Sequence, residues 1–134
     1  MNLVFVDSFY FFAILNPTDA AHTHAIGFSR QHTASLLTTT WILTEVADGL
    51  ARSAHRVVFK RLVSSFQAVL ANEIVETTDD LFDRGVELYH SRADKQWSLT
   101  DCISFVVMRE RGIGDALTGD HHYEQAGFTA LLKA

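Results

Sequence analysis

The sequence predicts an α/β fold, a three-layer α/β/α sandwich with a central, mostly parallel sheet of four or five strands. Short apolar segments alternate along the chain with segments of helical spacing. Continuously apolar strands are typical of a sheet that is buried on both faces, and parallel neighbours need crossover connections that are usually helical. A chain of 134 residues, 48% of them apolar, can bury one core, so we expect one domain over residues 1–134.

The first half of the chain is predicted to open on a buried strand, because Asn2–Val6 is a short apolar segment rich in β-forming residues. Asn16-Pro17-Thr18 then marks a turn between two helices. The second strand is placed at Thr38–Leu43, which has the β-branched and aromatic content of strands. Apolar residues recur at close to helical spacing from Glu45 to Leu70. The helices predicted in this half are Ser8–Leu15, about Asp19–Gln31, and those that follow from Glu45 onward.

The second half of the chain contains two helix-start signals. Thr77 or Thr78 can cap a helix, since a hydroxyl accepts hydrogen bonds from otherwise unpaired amides. Ser98 followed three residues later by Asp101 is the stronger signal, a capping box before a helix over Cys102–Arg111 that a glycine closes. The strands predicted in this half are Asn72–Glu76, Asp115–Thr118 and Gly127–Leu132.

The net charge of −5 argues against a protein that coats nucleic acid by bulk attraction, because phosphate contacts need local positive charge. Any role with nucleic acid must then depend on a local basic surface. Arg52, Arg56 and Lys60 recur every fourth residue, which places them along one face of a helix. They are the candidate RNA contacts, and a solvated helix face is the alternative interpretation.

The chain is expected to be cytoplasmic. Cys102 is the single cysteine, so no disulfide can form within the chain, which fits a reducing compartment. The first apolar stretch, Leu3–Leu15, is interrupted by Asp7 and lacks a basic flank. We therefore expect neither a signal peptide nor a membrane span there.

Acidic residues follow three of the predicted strands, and a fourth begins a predicted helix. Asp7 follows the first strand, Glu45 follows the second, and Asp120 follows the fourth, while Asp101 lies in the first turn after Ser98. The carboxyl ends of parallel strands meet at one edge of a sheet, where ligands bind. The sequence thus predicts that these four carboxylates share one site.

A cluster of four carboxylates requires a cation. Two such charges about 4 Å apart repel by on the order of 4 kcal/mol at an effective dielectric constant near 20. Oxygen ligands favour hard cations, Mg²⁺ in particular, and such an ion can activate water for phosphodiester hydrolysis. Ser8 and Thr118 stand beside proposed ligands and are expected to hold a carboxylate or a metal-bound water in place.

Each acid also has a simpler interpretation when it is taken alone. Asp101 can serve only as the acid of the capping box, Glu45 as an acid near a helix start, and Asp120 as a turn residue. Asp7 is harder to explain, because a charge at the end of a buried strand needs a partner. His121 and His122 offer imidazole to zinc or manganese, but without the spacing of known hydrolase motifs.

The sequence resembles a PIN domain, and more narrowly the VapC-type toxins of bacterial toxin–antitoxin pairs. The resemblance covers nearly the whole chain, and the block that begins at Leu117 is its most specific part. Tyr123 stands in that block where the family usually has phenylalanine. The residues that carry the resemblance are Val4-Phe5-Val6-Asp7-Ser8, Asp19 with His22 and Ala25, Thr44-Glu45, Ser98-Leu99-Thr100-Asp101, and Leu117-Thr118-Gly119-Asp120-His121-His122-Tyr123-Glu124-Gln125-Ala126-Gly127-Phe128.

The resemblance implies an endoribonuclease in which Asp7, Glu45, Asp101 and Asp120 bind Mg²⁺ or Mn²⁺ and support RNA cleavage. It also implies a homodimer and a cognate antitoxin that lays a short peptide into a groove near the acids. Two alternatives remain: a PIN-like protein-binding module without catalysis, and a PIN nuclease of RNA processing that is not a toxin.

Overall fold

The computed structural model describes residues 2–133 and contains one five-stranded sheet in which every pairing is parallel. The predicted α/β class and the central parallel sheet are therefore confirmed. The extent of the domain, residues 1–134, stays a prediction whose two terminal residues lie outside the described range. The strands are β1 (Leu3–Val6), β2 (Ser35–Thr39), β3 (Glu73–Val75), β4 (Asp115–Leu117) and β5 (Thr129–Ala130), in the sheet order β3-β2-β1-β4-β5.

Seven helices connect these strands within residues 2–133. Right-handed crossovers put the helices after β1 and β2 on one face of the sheet, and those after β3 on the other, because the chain reverses its direction across the sheet. None of the seven combines the length and the apolarity needed to cross a bilayer. The helices are α1 (Ser8–Leu15), α2 (His22–Gln31), α3 (Thr40–Gly49), α4 (Ser53–Ala68), α5 (Asp79–Ser91), α6 (Leu99–Arg111) and α7 (His121–Gln125).

The predicted position of the second strand was wrong. The strand ends at Thr39, whose side chain accepts a hydrogen bond from the backbone N–H of Ile42 at 3.1 Å and so caps α3. Ile42, Leu43 and Val46 then form the buried face of that helix. Apolar residues adjacent in sequence fit a buried strand and a buried helix face equally well, and the capping threonine decides for the helix. As a result Glu45 lies within α3 and does not follow a strand.

The other boundaries differ less from the predictions. Helix α2 begins at His22, because the Asp19 carboxylate accepts the backbone N–H of Ala21 at 2.8 Å in a turn that precedes the helix. Strand β5 is confined to Thr129–Ala130 within the predicted Gly127–Leu132. Both caps of the second half are confirmed: Thr78 caps α5, and Ser98 with Asp101 forms a complete capping box at α6.

The core lies between the sheet and the helices on each face. Strand β1 is central, and Val4, Phe5 and Val6 are almost completely buried. Phe105 of α6 and Tyr123 of α7 pack edge to face, with their ring centroids 5.0 Å apart, and the Tyr123 ring also lies 6.3 Å from that of Phe5 in β1. This packing fixes α6 and α7 against the edge of the sheet where the sequence predicts the acids.

Candidate active site

The candidate site lies where the strand order reverses. Strands β2 and β3 extend the sheet on one side of β1, and β4 and β5 extend it on the other. Loops that leave β1 and β4 diverge at this point, which forms the crevice where open α/β sheets bind ligands. Asp7 directly follows β1, and Asp120 precedes α7 shortly after β4 ends.

A buried threonine joins Asp7 to Asp120. The Oγ1 hydroxyl of Thr118 donates to Asp7 Oδ2 at 2.7 Å and accepts the backbone N–H of Asp120 at 3.1 Å. Thr118 is fully buried and Asp7 is 6% exposed, so the link is shielded from solvent. The predicted role of Thr118 in holding a carboxylate agrees with this geometry, and the two aspartates share one face of the molecule.

Asp101 is held at the same edge by two contacts on one of its oxygens. Its Oδ2 accepts the backbone N–H of Ser98 at 3.2 Å and lies 3.2 Å from Nδ1 of His122. The same imidazole nitrogen lies 3.4 Å from Oδ1 of Asp120. Asp101 therefore completes the capping box and also contacts His122 beside Asp120, while its role as a metal ligand stays a prediction.

Glu45 reaches the cluster from α3. Its carboxyl lies within electrostatic range of Asp7 and Asp101 and interacts with the side chain of Ser8. The Ser8 hydroxyl also lies 3.5 Å from Oδ1 of Asp7, at the limit of a hydrogen bond. Ser8 thus stands between Asp7 and Glu45, as expected for a residue that orients carboxylates.

Burial and mutual repulsion raise the pKa of three of the acids. Burial, followed by the charge of Asp101, raises the pKa of Asp7 to about 6 against the opposing hydrogen bond from Thr118. Burial and the charge of Asp7 raise the pKa of Glu45 to about 7. The pKa of Asp101 is also raised, by burial and by Asp120, although the Ser98 amide opposes this shift. A metal-free site is thus electrostatically unfavourable near neutral pH.

The donor set fits a hydrated divalent cation better than a closed protein cage. Among residues 2–133, the one group of three ligand atoms that lie within 4.8 Å of one another comprises Asp120, His121 and His122. Asp7, Glu45 and Asp101 interact through space over longer separations. Mg²⁺ takes one or two carboxylates directly and keeps several waters, so an open ring of acids with raised pKa values suits it.

Comparisons with known proteins agree with this geometry. The family model described as PIN domain matches residues 4–129. The chain belongs to the PIN domain family. The resemblance read from the sequence is thereby confirmed.

Relatives of known activity also match over nearly the whole chain. The proteins named 23S rRNA-specific endonuclease VapC20 from two Mycobacterium tuberculosis strains, CDC 1551 / Oshkosh and H37Rv, are each 29% identical over 130 residues, covering 96% of this chain and 98% of theirs. The crystal structure titled Mycobacterium tuberculosis VapC20, a sarcin-ricin loop cleaving toxin, matches with a TM-score of 0.83 and 25% identity, over 94% of this chain and 96% of that one. This PIN domain is therefore homologous to a VapC endonuclease.

The basic residues predicted from helical spacing lie on α4 and at its start. Arg52 is the N-cap residue, and Arg56 and Lys60 follow on the helix, all three exposed. The Arg56 Nε donates to the backbone oxygen of Ala51 at 2.9 Å, which holds that side chain against the start of α4. Arg56 and Lys60 are one helical turn apart on α4, whereas Arg52 has an extended backbone just before the helix. A shared surface for all three residues, and their contact with RNA, stay predictions.

Sequence reasoning missed the part that residues behind the acids play in the site. His122 lies between Asp101 and Asp120, a position that depends on the packing of α7 against α6. The hydroxyls of Tyr123 and Ser104 are fully buried and make no hydrogen bond of normal length and angle. Burial, and then the charge of Asp7, hold the pKa of Tyr123 well above its usual range, so this hydroxyl lies beside the site. The sequence signals were the adjacent histidines beside Asp120 and the tyrosine at position 123 where the family usually has phenylalanine.

Proposed function

We propose that this PIN domain is a divalent-metal-dependent endoribonuclease, the toxin component of a toxin–antitoxin pair. The observation that carries the proposal is the link from Asp7 through Thr118 to Asp120 at the point where the strand order reverses. Asp101 and Glu45 lie near the same point, and burial together with the charge of neighbouring carboxylates raises the pKa of both. Such a site would gain stability from a bound cation, and the homology to a protein named as a 23S rRNA-specific endonuclease supports RNA cleavage as the reaction.

The proposed catalytic residues are Asp7, Glu45, Asp101 and Asp120, which would hold Mg²⁺ or Mn²⁺. When bound, the cation would polarise the phosphodiester and supply an activated water as nucleophile. Thr118 donates to Oδ2 of Asp7 and the Ser8 hydroxyl lies near Oδ1, so these two hydroxyls together would orient the carboxylate.

His122 is proposed to hold two of the acids close together. Its Nδ1 lies between the carboxylates of Asp101 and Asp120, which keeps them from separating. The pKa of Glu45, raised to about 7 in the metal-free site, would fall when the cation binds, so Glu45 would act as a ligand and not as a proton donor.

RNA is the proposed substrate, and a ribosomal RNA hairpin loop is the first one to test because the relatives are named for 23S rRNA and the sarcin-ricin loop. The net charge of −5 makes bulk attraction unfavourable, so binding needs a local basic surface. Arg52, Arg56 and Lys60 are the proposed phosphate contacts, since they are exposed on the helix that follows the one carrying Glu45.

The biological setting is proposed from the same homology. A toxin of this kind would be held inactive in the cytoplasm by a cognate antitoxin protein and would act as a homodimer. An antitoxin side chain that carries positive charge into the acid cluster would relieve the same repulsion that raises the pKa of Asp7 and Glu45. Inhibition by the antitoxin and occupation by metal would then be competing ways of neutralising one site.

The test is cleavage of a radiolabelled ribosomal RNA hairpin by the purified, antitoxin-free chain in Mg²⁺, in Mn²⁺ and in chelator. We expect cleavage in either metal and none in chelator. Asp7→Asn keeps the size of the side chain, removes its charge, and should lower the rate at least about 100-fold, as expected when an essential metal ligand is lost.

Asp115→Asn is the matched control. Asp115 is the first residue of β4, at the opposite end of the strand from the acids, and its loss should leave the rate unchanged. Cleavage by Asp7→Asn at the wild-type rate would remove Asp7 from the mechanism. A wild-type chain that binds a partner but cleaves no RNA in any metal would support the non-catalytic binding module instead.

A further inference from the structure

The residues at the start of α7 bring two imidazoles onto one carboxylate oxygen. His121 Nδ1 lies 3.6 Å and His122 Nδ1 lies 3.4 Å from Oδ1 of Asp120. Ligand atoms of these three residues all lie within 4.8 Å of one another, the one such group within residues 2–133. This arrangement is distinct from the oxygen-only set proposed above for Mg²⁺, although the two share Asp120.

The separations match those of a tetrahedral metal site. Two ligand atoms that each bind zinc at about 2.0–2.1 Å with a tetrahedral angle lie roughly 3.3–3.4 Å apart. The two distances to Asp120 Oδ1 are close to this value, so only small side-chain rotations are needed. The backbone N–H of His122 donates to the same oxygen at 2.9 Å, which fixes the carboxylate in its present orientation.

The donor chemistry selects a class of ion. Imidazole nitrogen suits Zn²⁺ and other ions late in the first transition series, whereas Mg²⁺ prefers oxygen and is a poor partner for histidine. His121 has a side chain that is 67% exposed, so an ion can enter from solvent and keep one position open for water.

We propose that Asp120, His121 and His122 form a second metal site, selective for Zn²⁺ over Mg²⁺, and that its occupation inhibits the nuclease. The inhibitory part rests on the proposed function. Zinc at this site takes Asp120 Oδ1 and occupies the His122 nitrogen that now lies between Asp101 and Asp120. Asp120 is then no longer available to the catalytic cation, and its contact with Asp101 through His122 is lost.

The binding part is tested by calorimetric titration of Zn²⁺ into the full chain without Mg²⁺. We expect one zinc per chain for wild type and at least about tenfold weaker binding for His121→Ala, the loss typical even of an outer-shell partner. His55→Ala is the matched control, because His55 is an exposed histidine on α4, and it should bind zinc as wild type does. Equal zinc affinity in wild type and His121→Ala would overturn the site.

The inhibitory part is tested by RNA cleavage at fixed Mg²⁺ with increasing Zn²⁺. Wild type and His55→Ala should lose activity at the zinc concentration that saturates the calorimetric site, and His121→Ala should need at least about tenfold more zinc. Identical zinc inhibition of wild type and His121→Ala would overturn the inhibitory role. The binding titration needs no nuclease activity, so failure of the proposed function, seen as no cleavage in Mg²⁺ alone, is distinguished from failure of the zinc site.

Discussion

The raised pKa of Asp7 predicts that the metal-free protein becomes more stable when this acid is neutralised. The pKa of Asp7 is about 6 in the folded chain against 3.8 for an ordinary aspartate, and each pKa unit corresponds to about 1.4 kcal/mol. Because the folded state holds the proton more tightly, this contribution to stability is fully present below pH 4 and is lost as the pH rises through about 6. The full contribution is about 3 kcal/mol, of which about half remains at pH 5.

Asp7→Asn should therefore raise the free energy of unfolding at pH 7.5 by up to about 3 kcal/mol in chelator, with a smaller gain at pH 5. Urea unfolding of wild type and variant at both pH values measures this, and Asp115→Asn controls for the loss of a charge elsewhere. Saturating Mg²⁺ should stabilise wild type and leave Asp7→Asn nearly unchanged. A variant that is less stable than wild type in chelator, or a difference that does not change with pH, would refute the electrostatic argument.

Substitutions at three further residues test two neighbours of the acids and one proposed RNA contact. Thr118→Val removes the hydroxyl that joins Asp7 to Asp120 and should lower the single-turnover cleavage rate at least about tenfold, while Thr118→Ser retains activity. Tyr123→Phe removes a buried hydroxyl that makes no normal hydrogen bond, so its free energy of unfolding in urea should equal that of wild type or exceed it by up to about 1 kcal/mol. A free energy of unfolding more than about 1 kcal/mol below that of wild type would show that the hydroxyl is hydrogen-bonded. Lys60→Ala should raise KM for RNA and reduce its salt dependence with kcat unchanged, and a lower kcat at unchanged KM would contradict a phosphate contact.

Local chemistry explains why most of the fold could be predicted. The capping box of Ser98 and Asp101 contains both of its hydrogen-bond partners within four residues, and it fixes the start of α6. The run from Leu3 to Val6 is short, has no polar residue and is rich in β-forming residues, which favours a buried strand. Signals of this kind depend on a few neighbouring residues and are visible in the sequence.

The segment around Glu45 shows where such reasoning fails. Trp41–Thr44 has the composition of a strand, and only the hydrogen bond from the Ile42 amide to Thr39 decides that it is a helix. The prediction placed Glu45 at a strand end, whereas Glu45 lies within α3. Its side chain still lies near Asp7 and Asp101, because α3 begins at the same edge of the sheet. The topology thus preserved the predicted meeting of the acids although the local structure was wrong.

The contacts of His122 could not be predicted in the same way. Its neighbours Asp101 and Asp120 come from different elements, and their distances depend on how α6 and α7 pack through Phe105 and Tyr123. The sequence showed two adjacent histidines but not the direction of either ring. Interactions between elements distant in sequence require the assembled core.

The most direct measurement of the central claim is calorimetric titration of Mg²⁺ into the metal-free chain, because Mg²⁺ selects oxygen ligands and discriminates against the histidine site. Wild type and Asp115→Asn should bind Mg²⁺ saturably, and Asp7→Asn should bind it at least about tenfold more weakly. Equal Mg²⁺ affinity in wild type and Asp7→Asn would contradict the claim that the carboxylates gathered around Asp7 form the cation site.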